Sequence, residues 1–384
     1  MSNIQLYFSG DHYFSNILVD IRNAKSEICV ESYIFNLDSI GLEIYQSLKE
    51  AKQRGVSIKI LVDGVGSYNW ISQLRKKCEV DNFLLRVYHP MPFEFSLLQK
   101  ISWKNLRRYL YLFKRINKRN HRKLILIDNN IAYLGSFNVS QVHSEKFMGK
   151  KAWRDTGLKY TAKQNDTDFK TLIQSFRNSW LRSRKVLTTD KGSFFRRFKY
   201  IRIPQSDVFR INSNPYLRFK LLRTTYAKIT TARNRILITN AYFLPRMKMI
   251  RLLKRAARNG TTVHLCLPST SDVWFVREAS RFLYTNLLKS GVKIFEYQPS
   301  VLHAKSLIID DWASIGSHNL NHRSIMHDLE IETSITEPTL IQAIVSQWNT
   351  DINNCREVSL NDLNNQSFIR NFVGRIIYMF RYWI

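Results

Sequence analysis

Two histidines, His121 and His303, each open the same short pattern. The first copy reads Asn120-His121-Arg122-Lys123, runs through Leu124-Ile125-Leu126-Ile127 to Asp128, and is followed by Gly135-Ser136-Phe137-Asn138. The second reads Leu302-His303-Ala304-Lys305, runs through Ser306-Leu307-Ile308-Ile309 to Asp310, and is followed by Gly316-Ser317-His318-Asn319. An imidazole, an ammonium, a hydroxyl and a carboxamide, each present twice, suit attack on a phosphodiester. Lys123 and Lys305, with Ser136, Asn138, Ser317 and Asn319, would bind the phosphate and stabilise its non-bridging oxygens as phosphorus becomes five-coordinate. One neutral histidine would attack phosphorus while the other, protonated, gives the leaving alcohol its proton. The scheme needs no metal and no other cofactor. His318, His322 and His327 crowd the second copy, but no cysteine or acid joins them at metal-ligand spacing. One H-x-K-x4-D alone is a weak signal; two, each followed by G-S-x-N, point to one site built from two halves.

The aliphatic and β-branched residues between each Lys and Asp read as strands. Side chains alternate along a strand, so His121 and Lys123 share a face, as do His303 and Lys305. Asp128 and Asp310 lie an odd step further on and face the other way, which makes them structural residues. Asn129-Asn130 can turn the chain back as a hairpin. With Asp128 paired to Ile131, Lys123 would lie opposite Ser136 and His121 opposite Asn138. A three-residue loop in the second copy would set Lys305 opposite Ser317 and His303 opposite Asn319. Gly135 and Gly316 would allow close approach to the backbone.

The repeat extends upstream. Ile28–Tyr33 matches Ile236–Tyr242, and the stretch from Ala51 to Asp63 matches that from Ala257 to Pro268. Each half therefore reads as strand, helix, strand, long helical region and motif hairpin, an α/β fold with mixed sheets. The expected organisation is a first domain over 1–190 with an insertion at about 90–120, a linker over 191–214, a second domain over 215–355 and a tail over 356–384. Cys29, Cys78, Cys266 and Cys355 are scattered without a C-x-x-C pair, as in a reducing compartment.

On these motifs the chain resembles the phospholipase D superfamily, and within it the short bacterial cardiolipin synthases that lack amino-terminal transmembrane helices. Trp153-Arg154-Asp155, Ala241-Tyr242-Phe243, Phe295-Glu296-Tyr297, the run from Gly316 to Ser324 and Asp328-Leu329-Glu330 extend the likeness, although Asp328 stands where the family often has Asn. The resemblance implies two phospholipase D-like α-β-α repeats paired by pseudo-two-fold symmetry around one active site. It implies transfer of a phosphatidyl group between two phosphatidylglycerol molecules, with glycerol released. It also implies that His121 is the nucleophile and His303 the acid and base, an order that the residues themselves leave open. Asp155 and Glu330 match acidic positions of the family pattern and are candidates to orient a nucleophilic imidazole. A phospholipase D, another phosphatidyltransferase, or a phospholipase D-like nuclease would use the same motifs.

Charge bears on the partner. Fifty-nine Lys and Arg against thirty Asp and Glu give a net charge of +29, which calls for a polyanion. From Phe95 to Ile127 no acid occurs, and cations alternate with bulky aliphatic and aromatic residues, as in an interfacial amphipathic helix. The tail from Phe368 to Ile384 and the cluster from Phe194 to Arg202 repeat that composition. An anionic phospholipid membrane is thus the expected partner, and nucleic acid is not. With no signal peptide and no long uncharged apolar stretch visible, the sequence suggests a peripheral protein on the cytoplasmic face of the bacterial cell membrane. Oligomeric state is not legible from it.

Overall fold

The computed structural model describes residues 3–91, 117–185, 201–364 and 368–380. The insertion proper (92–116), the last residues (381–384) and most of the cluster from Phe194 to Arg202 lie outside the described residues. In the first half the strands are β1 (Ile4–Tyr7), β2 (Glu27–Ser32), β3 (Ser57–Asp63), β4 (Leu84–Tyr88), β5 (Lys123–Ile127), β6 (Ile131–Gly135), β7 (Gly157–Thr161) and β8 (Arg184–Lys185). They form one sheet in the order β1-β7-β6-β5-β2-β3-β4-β8. The second half supplies β9 (Phe209–Ile211), β10 (Arg235–Thr239), β11 (Thr262–Pro268), β12 (Lys293–Tyr297), β13 (Ser306–Ile309), β14 (Trp312–Gly316), β15 (Ile331–Ile335) and β16 (Cys355–Glu357). Its order, β9-β15-β14-β13-β10-β11-β12-β16, reproduces the first sheet position for position. Both sheets are mixed: β2, β3 and β4 run parallel, as do β10, β11 and β12, and the motif strands β5 and β13 pair antiparallel beside them.

Burial explains the residue types. All five residues of β5 are buried, as expected for a central strand covered on both faces. Helices Gly10–Asn23, Ser39–Gln53 and Tyr68–Val80 contribute to a core that covers one face of the first sheet. Helix Thr167–Arg182 covers the other, in a core that also takes Phe209, Ile211, Leu329 and Ile331 from the second half. The two halves therefore share apolar packing. Local signals start the helices: Asp38, Asp166 and Asn214 each accept from a backbone N–H in the first turn, at 3.1, 2.9 and 2.9 Å.

The motif hairpins differ from expectation by one residue. Ile127 pairs with Ile131 and Leu124 with Leu134, which sets Lys123 level with Gly135, not with Ser136. Ile309 pairs with Trp312 and Ser306 with Ile315, which sets Lys305 level with Gly316, not with Ser317. His121 and His303 accordingly do not lie opposite Asn138 and Asn319. The cause is the aspartate at the end of each strand. Asp128 leaves the ladder at φ 51°, and its carboxylate accepts from the backbone N–H groups of Lys25, Ser26 and Glu27 at 2.7, 2.7 and 3.1 Å. Asp310, at φ 49°, accepts from Arg233, Asn234 and Arg235, each at 2.9 Å. Each aspartate thus clamps the turn that feeds β2 or β10, and the loop takes up the odd residue between copies. The glycines sit where strands crowd: a Cβ on Gly316 would lie 2.2 Å from the Ile331 carbonyl oxygen.

Three further departures follow from short elements. β4 and β12 end what reads as a long helical region, and each extends its sheet in parallel with the preceding strand. β9 falls within the stretch 191–214 expected as linker and forms the edge of the second sheet against β15. The tail begins with β16, paired to β12, and its helix Phe368–Met379 lies against helix Trp274–Phe282. The same edge brings Cys266 Sγ and Cys355 Sγ to 3.6 Å, both as free thiols.

The clamp gives a stability test. Asp310→Ala removes an acceptor shared by three backbone donors, and should lower unfolding stability by about 2 kcal/mol in a urea melt. The KM of the folded fraction should not move. Wild-type stability would contradict the structural role.

Candidate active site

The motif histidines stand just before β5 and β13, where the two halves meet. There the backbones bridge in two equivalent places. Asn120 pairs with Leu329 and Arg154 pairs with Leu302. The His121 N–H donates to the Leu329 carbonyl at 3.0 Å, and the His303 N–H donates to the Arg154 carbonyl at 2.9 Å. Each histidine is thereby placed beside the acidic residue of the opposite half. His121 Nδ1 lies 3.0 and 3.1 Å from the two carboxylate oxygens of Glu330, and His303 Nδ1 lies 2.7 Å from Asp155 Oδ2. A carboxylate only accepts, so Nδ1 carries the proton in each ring and Nε2 keeps the lone pair.

All six groups are buried: His121, Lys123, His303 and Lys305 are 3–8% exposed, and Asp155 and Glu330 are fully buried. Burial lowers both histidines to about 4 against the opposing pull of their carboxylates, so each imidazole is neutral at neutral pH. Burial alone would raise Glu330, but the adjacent His121 and their hydrogen bond bring it down to about 2. Asp155 is held well below the carboxylate range in the same way, by His303 and His143. Burial, then repulsion from Lys305, brings Lys123 down to about 7. Burial lowers Lys305 to about 8. The site therefore offers two neutral imidazoles and two lysines poised to be cationic, an arrangement that an arriving anion would charge.

The lysines reach back to the backbone: Lys123 Nζ donates to the His121 carbonyl at 2.8 Å, and Lys305 Nζ donates to that of His303. Ser136 and Ser317, expected as phosphate donors, instead give their hydroxyls to Asp155 and Glu330. Asn138 and Asn319 are buried, and the side-chain oxygen of each has no partner among the described residues. His318 is turned away onto Glu332 at 2.9 Å. Among the described residues no group of three His, Cys, Asp or Glu is gathered to hold a metal.

A buried polar frame sets the approach to His121. Asp63 accepts from the Asn120 N–H at 2.8 Å, and Arg119 Nη1 lies 3.5 Å from the same carboxylate. Asp328 accepts from the Arg119 N–H at 3.0 Å, while Glu31 takes the Asn120 carboxamide at 2.6 Å. Burial raises Asp328 to about 7 despite nearby Arg323. The ends of the insertion are pinned here too: Arg119 Nη1 donates to the His89 carbonyl at 2.9 Å. On the other side Arg154 forms a two-point ion pair with Asp351 at 2.8 and 2.9 Å.

Four further residues join the site, none of which the motifs assign a role. Tyr33 and Tyr242 follow the matching strands β2 and β10, and their rings lie 4.8 and 6.4 Å from His121 and His303. Their equivalent places in the repeat were the available signal. His143 and Trp153 pack at 5.9 and 5.5 Å from the His303 ring, and His143 Nδ1 lies 3.0 Å from Asp155 Oδ2. His143 has no repeat counterpart, because Ser324 occupies the matching position. The crossed pairs are testable: Glu330→Gln keeps the shape but loses the charge that fixes the His121 tautomer, and kcat should fall by about 10²–10⁴-fold. A kcat within twofold of wild type would contradict the assignment.

Comparison with known proteins gives the family and the fold. Residues 17–146 and 226–352, one stretch in each half, match the family described as "Cardiolipin synthase, PLD-like domain". A cardiolipin synthase of Clostridium perfringens (strain SM101) is 29% identical over 382 residues, covering 98% of this chain and 76% of the relative. Cardiolipin synthase B of Escherichia coli K12 is 27% identical over 356 residues, covering 91% and 80%. The crystal structure of phosphatidylserine synthase from Haemophilus influenzae superposes with a TM-score of 0.72 over 100% of this chain and 95% of that one; at 14% identity this is a likeness of fold. With a family match in each half and both motifs gathered at one seam, the chain belongs to the cardiolipin synthase family of the phospholipase D superfamily and is a phosphatidyltransferase.

Proposed function

We propose that the chain joins two phosphatidylglycerol molecules into cardiolipin, releasing glycerol through a phosphatidyl-histidine intermediate. The crossed imidazole–carboxylate pairs, flanked by two buried lysines, carry this reading. His121 Nε2 attacks the phosphorus of the donor lipid, the bond from phosphorus to the glycerol oxygen breaks, and His303 gives that oxygen its proton. His303 then takes the proton from a hydroxyl of the second phosphatidylglycerol. That oxygen attacks phosphorus and the bond to Nε2 breaks, so His121 is again neutral and His303 again protonated, as when the cycle began. His303 is neutral in the empty site, so it must gain its proton when the anionic phosphodiester arrives. Lys123 and Lys305 gain charge for the same reason and stabilise the five-coordinate phosphorus. The buried carboxamides of Asn138 and Asn319 would add neutral donors through their Nδ2–H groups. Ser136 and Ser317 act through the carboxylates, as positioning residues. Burial of the site keeps water from the intermediate, which favours transfer over hydrolysis.

The proposed partner is an anionic phospholipid surface, and the proposed location the cytoplasmic face of the bacterial membrane, bound peripherally. The net charge of +29 supports this, as do exposed Trp274, Met379 and Phe380, at 63, 66 and 59%. Exposed apolar and aromatic side chains beside cations suit the boundary between headgroups and acyl chains. No helix among the described residues is long and apolar enough to cross a membrane.

Two measurements test the reaction. Vesicles carrying labelled phosphatidylglycerol should yield cardiolipin and glycerol in equal amounts; phosphatidic acid as the sole lipid product would overturn the synthase reading. The pH dependence of kcat/KM reports the free enzyme. It should fall as pH rises through 7 to 8, where Lys123 and Lys305 lose their protons and with them the charge that meets the phosphate. A profile flat across the lysine range would remove the lysines from the charge argument.

A further inference from the structure

Transfer differs from hydrolysis in needing a second lipid at the site before water, and the second half contains a groove suited to one. It lies between helices Pro215–Thr231 and Met247–Arg258 and encloses about 680 Å³, within the usual range of ligand pockets, about 300–1,000 Å³. Arg223, Arg246, Lys248 and Arg251 line it, all exposed, and none is ion-paired among the described residues. No acid lines it. Between the cations the wall is apolar, with Phe219 and Met247 65 and 43% exposed and Leu222 buried beneath them. Tyr226, which carries Lys248 Nζ 5.3 Å from its ring centroid, has a buried hydroxyl with no partner among the described residues. A buried hydroxyl left unpaired is costly, and a ligand oxygen would satisfy it.

The groove adjoins the catalytic seam. Its residue Leu244 is two positions beyond Tyr242, the ring beside His303, and the Leu244 N–H donates to the Leu320 carbonyl at 3.0 Å, next to Asn319. We propose that this groove seats the acceptor phosphatidylglycerol, its phosphate among the four cations and an acyl chain against Phe219, Leu222 and Met247. The inference rests on the phosphatidyl transfer proposed above. Unpaired cations alone would suit any polyanion; the apolar wall between them selects a lipid.

The test uses the full chain on vesicles containing phosphatidylglycerol with a diazirine on one acyl chain. Irradiation and peptide mapping should place crosslinks in residues 215–231 and 244–251. Arg246→Glu with Arg251→Glu should reduce their yield by more than about tenfold, since each cation beside an anionic headgroup contributes about fivefold. The ratio of cardiolipin to phosphatidic acid should fall in parallel, because water then resolves the intermediate. Arg246→Lys with Arg251→Lys should retain both, which separates loss of charge from loss of fold. Crosslinks absent from these peptides, displaced by an oligonucleotide but not by phosphatidylglycerol, or an unchanged product ratio in the charge-reversed variant would overturn the proposal. A wild-type chain that makes no cardiolipin would instead defeat the proposed reaction, and the crosslink map would still decide the groove.

Discussion

His121 faces Glu330 and His303 faces Asp155, so neither half of the chain orients its own motif histidine. Both carboxylates are fully buried. A buried carboxylate without a partner would cost several kcal/mol, about 3–5 where one member of such a pair is removed, so the halves are locked in the register that keeps both pairs. The backbone bridges from Asn120 to Leu329 and from Arg154 to Leu302 enforce that register within one residue of each histidine. Shared apolar packing, in which Ile331 and Phe209 join a core of the first half, serves the same end. The fold thus spends its internal symmetry on one seam.

Around that seam the symmetry is only partial, and the differences fall where the chemistry is divided. His121 meets Tyr33, Glu330 and a frame of Asp63, Arg119 and Asp328. His303 meets Tyr242, Trp153 and a second histidine, His143, which shares Asp155 with it. A carboxylate flanked by two imidazoles is well placed to follow the gain and loss of a proton at His303. His121 Nδ1 is held instead by Glu330 and the Ser317 carbonyl oxygen, with no second imidazole on its carboxylate, in keeping with the nucleophilic role proposed for it.

Strand parity made much of this legible. An odd step from Lys123 to Asp128 separates phosphate chemistry from turn clamping, and the structure has Asp128 bound to three backbone donors far from the histidines. The repeat of strand, helix and strand around Ile28 and Ile236 gave the mixed sheets. The hairpin register was not legible, because it depends on left-handed backbone at Asp128 and Asp310 that the clamped loops impose. β4 and β12 were missed because five-residue apolar runs such as Leu84–Tyr88 fit a buried helix as well as a strand. Asp155 and Glu330 stood out as acids after each motif, yet their crossing between halves is a tertiary fact. The acceptor groove joins helices about 30 residues apart and carries no pattern in sequence.

The account turns on one covalent event, a phosphatidyl group carried by one histidine of the pair. The direct measurement is a rapid denaturing quench of the wild-type chain turning over phosphatidylglycerol labelled at its phosphate, followed by peptide mapping. The account expects label on the peptide bearing His121 and none on the peptide bearing His303. Label on neither peptide during steady turnover, or on His303 alone, would contradict it.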